Sequence, residues 1–161
     1  MDVSLELLEA ARRHGAIIAT AESCTGGMIS AAITDTAGSS EIFDRGFVTY
    51  TNSAKVEILG VSEKLLLAHG AVSEEVAAEM ALGALRHSGA TLAVATTGIA
   101  GPGASDFKPE GRVCFGISDG ETIFTETVEF GAIGRANVRK AAVDHAIRLL
   151  LRSIENGVGD H

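Results

Sequence analysis

Apolar positions recur at helical spacing in some segments and as short continuous runs in others, and the two kinds of segment alternate along the chain. Residues 4–14 place Leu5, Leu7, Leu8 and Ala11 on one helical face, and Gly15 stops the run. Ala16 onward reads as a short buried strand ending at Glu22, and a helix is expected over Thr25–Thr34, opening on Gly26-Gly27. A turn at 36–40 leads to a strand over 46–51 and a helix over 52–59, capped by Asn52 or Ser53. A shorter helix follows and ends at Gly70. Ser73 is the expected N-cap of a long helix reaching about His87, with Glu74 and Glu75 suiting its positive end. Residues 91–98 form a buried strand and 99–110 a loop. Strands over 112–118 and 121–130 meet at Asp119-Gly120, a strong hairpin signal. A last helix is expected from Arg135 to Arg152, with a frayed tail over 153–161.

This order predicts a three-layer α/β/α sandwich with a mixed, mostly parallel sheet and a late β-hairpin. No repeat or linker interrupts the 161 residues, so one domain with a core over about 5–152 is expected. Ligand chemistry should gather where strands end and helices begin.

Composition sharpens this picture. Aromatics are 4% and Trp is absent, so the core must be built from Ala, Val, Ile and Leu. The net charge of −8 and the lack of a basic run argue against nucleic acid as a partner. The two cysteines form no CxxC and the five histidines show no ligand spacing, so no metal and no cofactor is expected. The longest uncharged run, Ser88–Ser105, contains Gly and Pro and reads as strand and loop, not as a membrane span. The N-terminus has no apolar signal core, which points to a reducing cytoplasm. A small-molecule ligand is the expected partner, and a homodimer the expected assembly.

Four segments carry candidate chemistry. In Ala21-Glu22-Ser23-Cys24-Thr25-Gly26-Gly27 a strand runs through hydroxyls into a helix, a geometry that presents a nucleophile beside backbone N–H groups. The same residues also suit a plain N-cap. In Tyr50-Thr51-Asn52-Ser53-Ala54-Lys55 a lysine sits early on a helix, against the dipole. Buried, it would be a base; solvated, it is ordinary surface. Thr96-Thr97-Gly98 with Gly101-Pro102-Gly103 forms either a ligand lip or a connecting loop, and lacks the Gly-Lys-Ser/Thr of a P-loop. Arg135 and Arg139 share one face at the start of the last helix, where a bound phosphate or plain solvation would accommodate them.

The order of AESCTGG, TAGSSEIFDRGFVTYTNSAK, HGAVSEEVAAEMALGA, TGIAGP with KPEGRV, and GRANVRK resembles the CinA C-terminal domain family in its stand-alone form, over residues 5–152. The resemblance implies a nicotinamide-nucleotide amidase that converts nicotinamide mononucleotide to nicotinate mononucleotide and ammonia, in pyridine nucleotide salvage. Longer CinA proteins carry a further N-terminal domain associated with nucleotide pyrophosphatase activity, which is not expected here. The family name is tied to competence and DNA damage, but nothing in this acidic chain suggests contact with DNA.

The family serine falls on Ser23 and its lysine on Lys55, implying a Ser–Lys mechanism without metal. Cys24 and Thr25 stand beside Ser23 as alternative nucleophiles. Tyr50 is expected to hydrogen-bond or stack near the pair. The N–H groups around Gly26 and Gly27 are expected at the oxyanion, with Thr25 at the substrate. Gly38, Ser39, Thr97 and Arg135 are the further substrate-binding expectations, Arg135 on the phosphate. A module that binds a ligand without catalysis, and an amidase for a related nucleotide amide, are the competing readings.

Overall fold

The computed structural model describes residues 2–159. Helix α1, Val3–His14, is capped by the Asp2 carboxylate and closed by Gly15 in the left-handed region. Strand β1 is Ile18–Glu22, helix α2 Met28–Thr34, and a 3-10 turn spans Ser39–Glu41. Strand β2, Phe43–Val48, precedes helices α3, Asn52–Leu59, α4, Glu63–His69, and α5, Glu74–Arg86. Strands β3, β4 and β5 are Leu92–Gly98, Arg112–Ser118 and Ile123–Glu129, and helix α6 is Arg135–Asn156.

The five strands form one sheet in the order β2-β1-β3-β4-β5. Strand β1 runs parallel to both neighbours, pairing Glu22 with Val48 and with Thr96. Strands β3, β4 and β5 are antiparallel in turn, so only β4 opposes the common direction. The chain leaves β1 for β2 on one side and later returns to β3 on the other. The crevice beyond the carboxyl ends of β1 and β3 is therefore a topological switch point.

The two faces of the sheet are built differently. One buries large side chains, including Ile18, Leu92, Val94, Phe115 and Ile117, under α1, α2 and α6. The other presents Ala19, Ala21, Ala93 and Ala95 to the layer containing α5. Small residues let α5 lie close: a Cβ on Gly116 would overlap the Ala77 carbonyl of α5, and one on Gly83 would overlap the Leu59 carbonyl at the end of α3.

Several boundaries differ from the sequence expectation. Strand β2 starts at Phe43 and ends at Val48, whereas the apolar signal suggested 46–51. As a largely exposed edge strand it lacks a core-facing run that would mark its limits. Helix α2 starts at Met28 because Gly26 and Gly27 adopt φ of 58° and 103°, making Thr25–Gly27 a turn. The cap of α3 is Thr51, whose hydroxyl accepts the Ala54 N–H at 3.1 Å, in place of Asn52 or Ser53. Helix α6 continues to Asn156, with Ser153 buried and Ile154 and Val158 packed on the core. The last two residues of the expected tail, Asp160 and His161, lie outside the described residues.

Candidate active site

The site begins at the carboxyl end of β1, where apolar burial of the strand carries Glu22 wholly inside. Its Oε1 accepts the Thr25 hydroxyl at 2.6 Å and the N–H groups of Gly27 and Ile29 at 3.2 and 2.9 Å. Its Oε2 accepts the Ser30 N–H and hydroxyl at 3.0 and 2.9 Å. Gly27, at the N-cap of α2, has no side chain to offer, so a carboxylate from the preceding strand satisfies the helix's free N–H groups. This fastens the turn that carries Ser23. The Ser23 N–H donates to the Thr96 carbonyl of β3 at 3.0 Å, and the Gly26 N–H to the Ser23 carbonyl at 3.0 Å.

Lys55 approaches from the first turns of α3 and is 1% exposed. Its Nζ lies 3.0 Å from Ser23 Oγ, 3.0 Å from the Thr49 carbonyl oxygen and 3.1 Å from that of Tyr50. Neither carbonyl carries a formal charge, and among the described residues no carboxylate pairs with the amine. Burial therefore dominates and lowers the Lys55 pKa from 10.5 to about 8, opposed by the neighbouring Cys24. Lys55 Nζ donates to the Ser23 oxygen and to both carbonyls; a neutral amine would keep the two carbonyl bonds and turn its lone pair to the serine hydroxyl.

The three candidate nucleophiles separate clearly. Ser23 Oγ contacts the amine. The Thr25 hydroxyl is fully buried between Glu22 and the Thr96 hydroxyl, the latter at 3.0 Å. Burial raises the Cys24 pKa to about 11, keeping it a thiol at neutral pH.

Ser23 and Lys55 open onto a cavity of about 310 Å³, a size suited to a small ligand. Its wall includes Cys24, Tyr50, Asn52, Thr97, Arg135 and the Gly98–Asp106 loop. Arg135 donates to the Gly101 carbonyl at 2.8 Å and to the Tyr50 hydroxyl at 2.9 Å, joining both walls at the mouth. The Thr97 hydroxyl donates to the Ala71 carbonyl at 2.9 Å. A larger groove, about 680 Å³, opens between α5 and the hairpin. There Glu74 accepts the Thr125 and Thr127 hydroxyls, and Cys114 has its pKa raised, chiefly by burial. Among the described residues that groove brings no hydroxyl or thiol against a lysine amine or an imidazole.

Other sequence-predicted residues lie elsewhere. Gly38 and Ser39 precede β2 at the amino end of the sheet, whereas Ser23 follows the carboxyl end of β1. The five residues of β1 separate the two levels, roughly 16 Å at the usual rise per residue. A Cβ on Gly38 would meet the Arg12 guanidinium, so the glycine shapes that corner of the fold. Gly26 and Gly27 have their N–H groups engaged within the turn and do not line the cavity. Tyr50 reaches the Ser23–Lys55 pair through its carbonyl, while its ring points to Arg135. Arg139, grouped with Arg135 by helical spacing, instead donates to the Cys24 carbonyl at 3.0 Å. The roles of Glu22 and of the Thr49 carbonyl went unforeseen. An acid closing a wholly apolar strand was the available signal for the first, and a backbone acceptor leaves none.

Comparison with known proteins adds to this geometry. The CinA C-terminal domain profile matches residues 2–154. The chain is 50% identical to the nicotinamide-nucleotide amidohydrolase PncC of Enterobacter agglomerans, covering 94% of this chain and 93% of that protein. It is 45% identical to a CinA-like protein of Chlorobium phaeobacteroides, covering 96% of this chain but only 39% of that longer protein. The crystal structure of a CinA superfamily protein from Klebsiella pneumoniae superposes with a TM-score of 0.92 at 34% identity, covering 96% of each chain.

Proposed function

The chain belongs to the CinA C-terminal domain family, and from that premise we propose that it is an amidohydrolase that converts nicotinamide mononucleotide to nicotinate mononucleotide and ammonia. The observation that carries the reading is Ser23 Oγ held 3.0 Å from a buried lysine whose pKa is lowered to about 8. Relatives of matching length bear the name of this activity.

Neutral Lys55 takes the Ser23 proton as Oγ attacks the carboxamide carbon. The resulting ammonium protonates the departing nitrogen, which leaves as ammonia. Water then attacks the nicotinoyl ester, gives a proton to Lys55, and the proton returns to Ser23 as nicotinate is released. Arg135 at the cavity mouth is the proposed phosphate contact, and Thr97 and the Gly98–Asp106 loop flank the nucleotide. Two buried, unpaired thiols suit a reducing cytoplasm.

The test is ammonia release from nicotinamide mononucleotide, with nicotinamide and NAD as comparison substrates. Turnover restricted to the mononucleotide is expected. Binding of the mononucleotide without ammonia release would make the chain a ligand-binding module. Faster release from another nucleotide amide would reassign the substrate.

A further inference from the structure

A serine amidase must receive negative charge on the substrate oxygen, and N–H donors next to the nucleophile usually do so. The N–H of Ser23 is engaged by Thr96, that of Gly26 by Ser23, and that of Gly27 by Glu22. Neither the Cys24 N–H nor the Thr25 N–H donates to another residue among the described residues, and of the two only Cys24 lines the cavity, beside Ser23.

Its direction follows from peptide planarity. In a trans peptide the C=O and N–H point opposite ways. The Ser23 carbonyl turns inward to the Gly26 N–H, so the Cys24 N–H points out of the turn. The next peptide is held from outside the turn. Arg139 of α6 donates from Nε to the Cys24 carbonyl at 3.0 Å and from Nη2 to the Thr25 carbonyl at 3.4 Å. The guanidinium fits closely, since a Cβ on Gly26 would stand 3.2 Å from Nη2. Both peptide planes flanking Cys24 are thus fixed, one by the turn and one by Arg139.

We infer that Arg139 is a positioning residue: it fixes the peptide after Cys24 from outside the turn, so that the Cys24 N–H, whose own peptide is held by the Gly26 N–H, stays directed out of the turn at the cavity as oxyanion donor. The inference rests on the amidase reading above. It separates two arginines that sequence spacing pairs: Arg135 opens to the cavity, while Arg139 serves the turn beneath it.

Arg139→Met keeps the aliphatic stem and removes both donors. It is expected to lower kcat roughly 10- to 100-fold, the scale of a small misplacement of reacting groups. The KM should stay within about threefold, as for an interaction made in the transition state. The pH midpoint should stay near that of the wild type, because the Lys55 cradle is untouched. If the Met variant fails to fold, Arg139→Lys carries the test, retaining charge without the paired contacts. A raised KM with unchanged kcat would overturn the inference and make Arg139 a phosphate ligand. Unchanged kcat and KM would overturn it as well.

Labelling of Ser23 by a fluorophosphonate separates this inference from the substrate reading, since the probe needs an activated serine and an oxyanion site but no nucleotide. A wild type that is labelled but releases no ammonia, with a variant labelled more slowly, would refute the substrate and support the positioning role. Equal labelling rates, or no labelling of the wild type, would refute the positioning role.

Discussion

Glu22 and Lys55 are both buried beside Ser23, and the fold treats them in opposite ways. Glu22 accepts hydrogen bonds from three backbone N–H groups and two hydroxyls. Lys55 meets two carbonyls and the serine hydroxyl, all formally neutral. Saturation makes the carboxylate a structural pin. Under-compensation favours the neutral amine, the form that the proposed base requires, because desolvation disfavours its charge. Burial alone does not make a charged residue chemical; the partners left out of its shell do.

The sharpest way to break this contrast is to remove what each residue serves. Ser23→Ala should lower kcat roughly a thousandfold or more while leaving the fold intact, as loss of covalent catalysis predicts. Near-normal turnover in pure variant would shift the chemistry to another group. Glu22→Gln should act on stability. The amide replaces one acceptor oxygen by a donor facing N–H and O–H groups, at a cost of about 2–4 kcal/mol in urea denaturation. A loss below about 1 kcal/mol would mean that the carboxylate is not the pin of the turn.

Arg135→Ala tests the cavity mouth. A charge-assisted contact worth about 1.5–3 kcal/mol corresponds to a loss of roughly ten- to a hundredfold in affinity for the mononucleotide. The dephosphorylated riboside should bind the wild type poorly and scarcely notice the change. Equal losses on both ligands would show that the Arg135 bridge between Tyr50 and Gly101 supports structure. The smallest effect is read from pH. Because Lys55 must be neutral to accept the proton, kcat/KM should rise about tenfold per unit below pH 8 and level off above it. At pH 7 roughly one tenth of the enzyme would hold a neutral lysine, against about three in ten thousand at the ordinary lysine pKa. A flat profile between pH 6 and 8 would remove Lys55 as the base.

The same contrast explains what was legible in the sequence. Buried strands and capped helices announce themselves by period and by Gly, Ser and Asp at their ends, so β1, β3, the hairpin and α5 fell where expected. Strand β2 did not, because an exposed edge has no apolar run to delimit it. Ser23 and Lys55 were visible as residues at strand-to-helix turns. The cradle of Lys55 was not, since the carbonyls of Thr49 and Tyr50 belong to every sequence alike. The resemblance places Gly38 and Ser39 at the ligand, and the three-dimensional structure puts them at the other end of the sheet. Spacing paired Arg135 with Arg139 because four residues make one helical turn, but their long side chains diverge to different walls.

The two glycine contacts behind the site carry a consequence for its precision. Ser23 stands at the end of a sheet strand and Lys55 on α3, which packs on α5, so the gap between them adds two packing distances. At Gly116 and Gly83 those distances bottom out on backbone, α5 against the sheet and α3 against α5. A side-chain interface can trade one volume for another and drift. Backbone against backbone is a hard stop, like a machined shoulder that sets how far two parts can be driven together. The spacing of Ser23 and Lys55 is thus gauged by two residues that have no side chain, and a single methyl group at either would open it from behind.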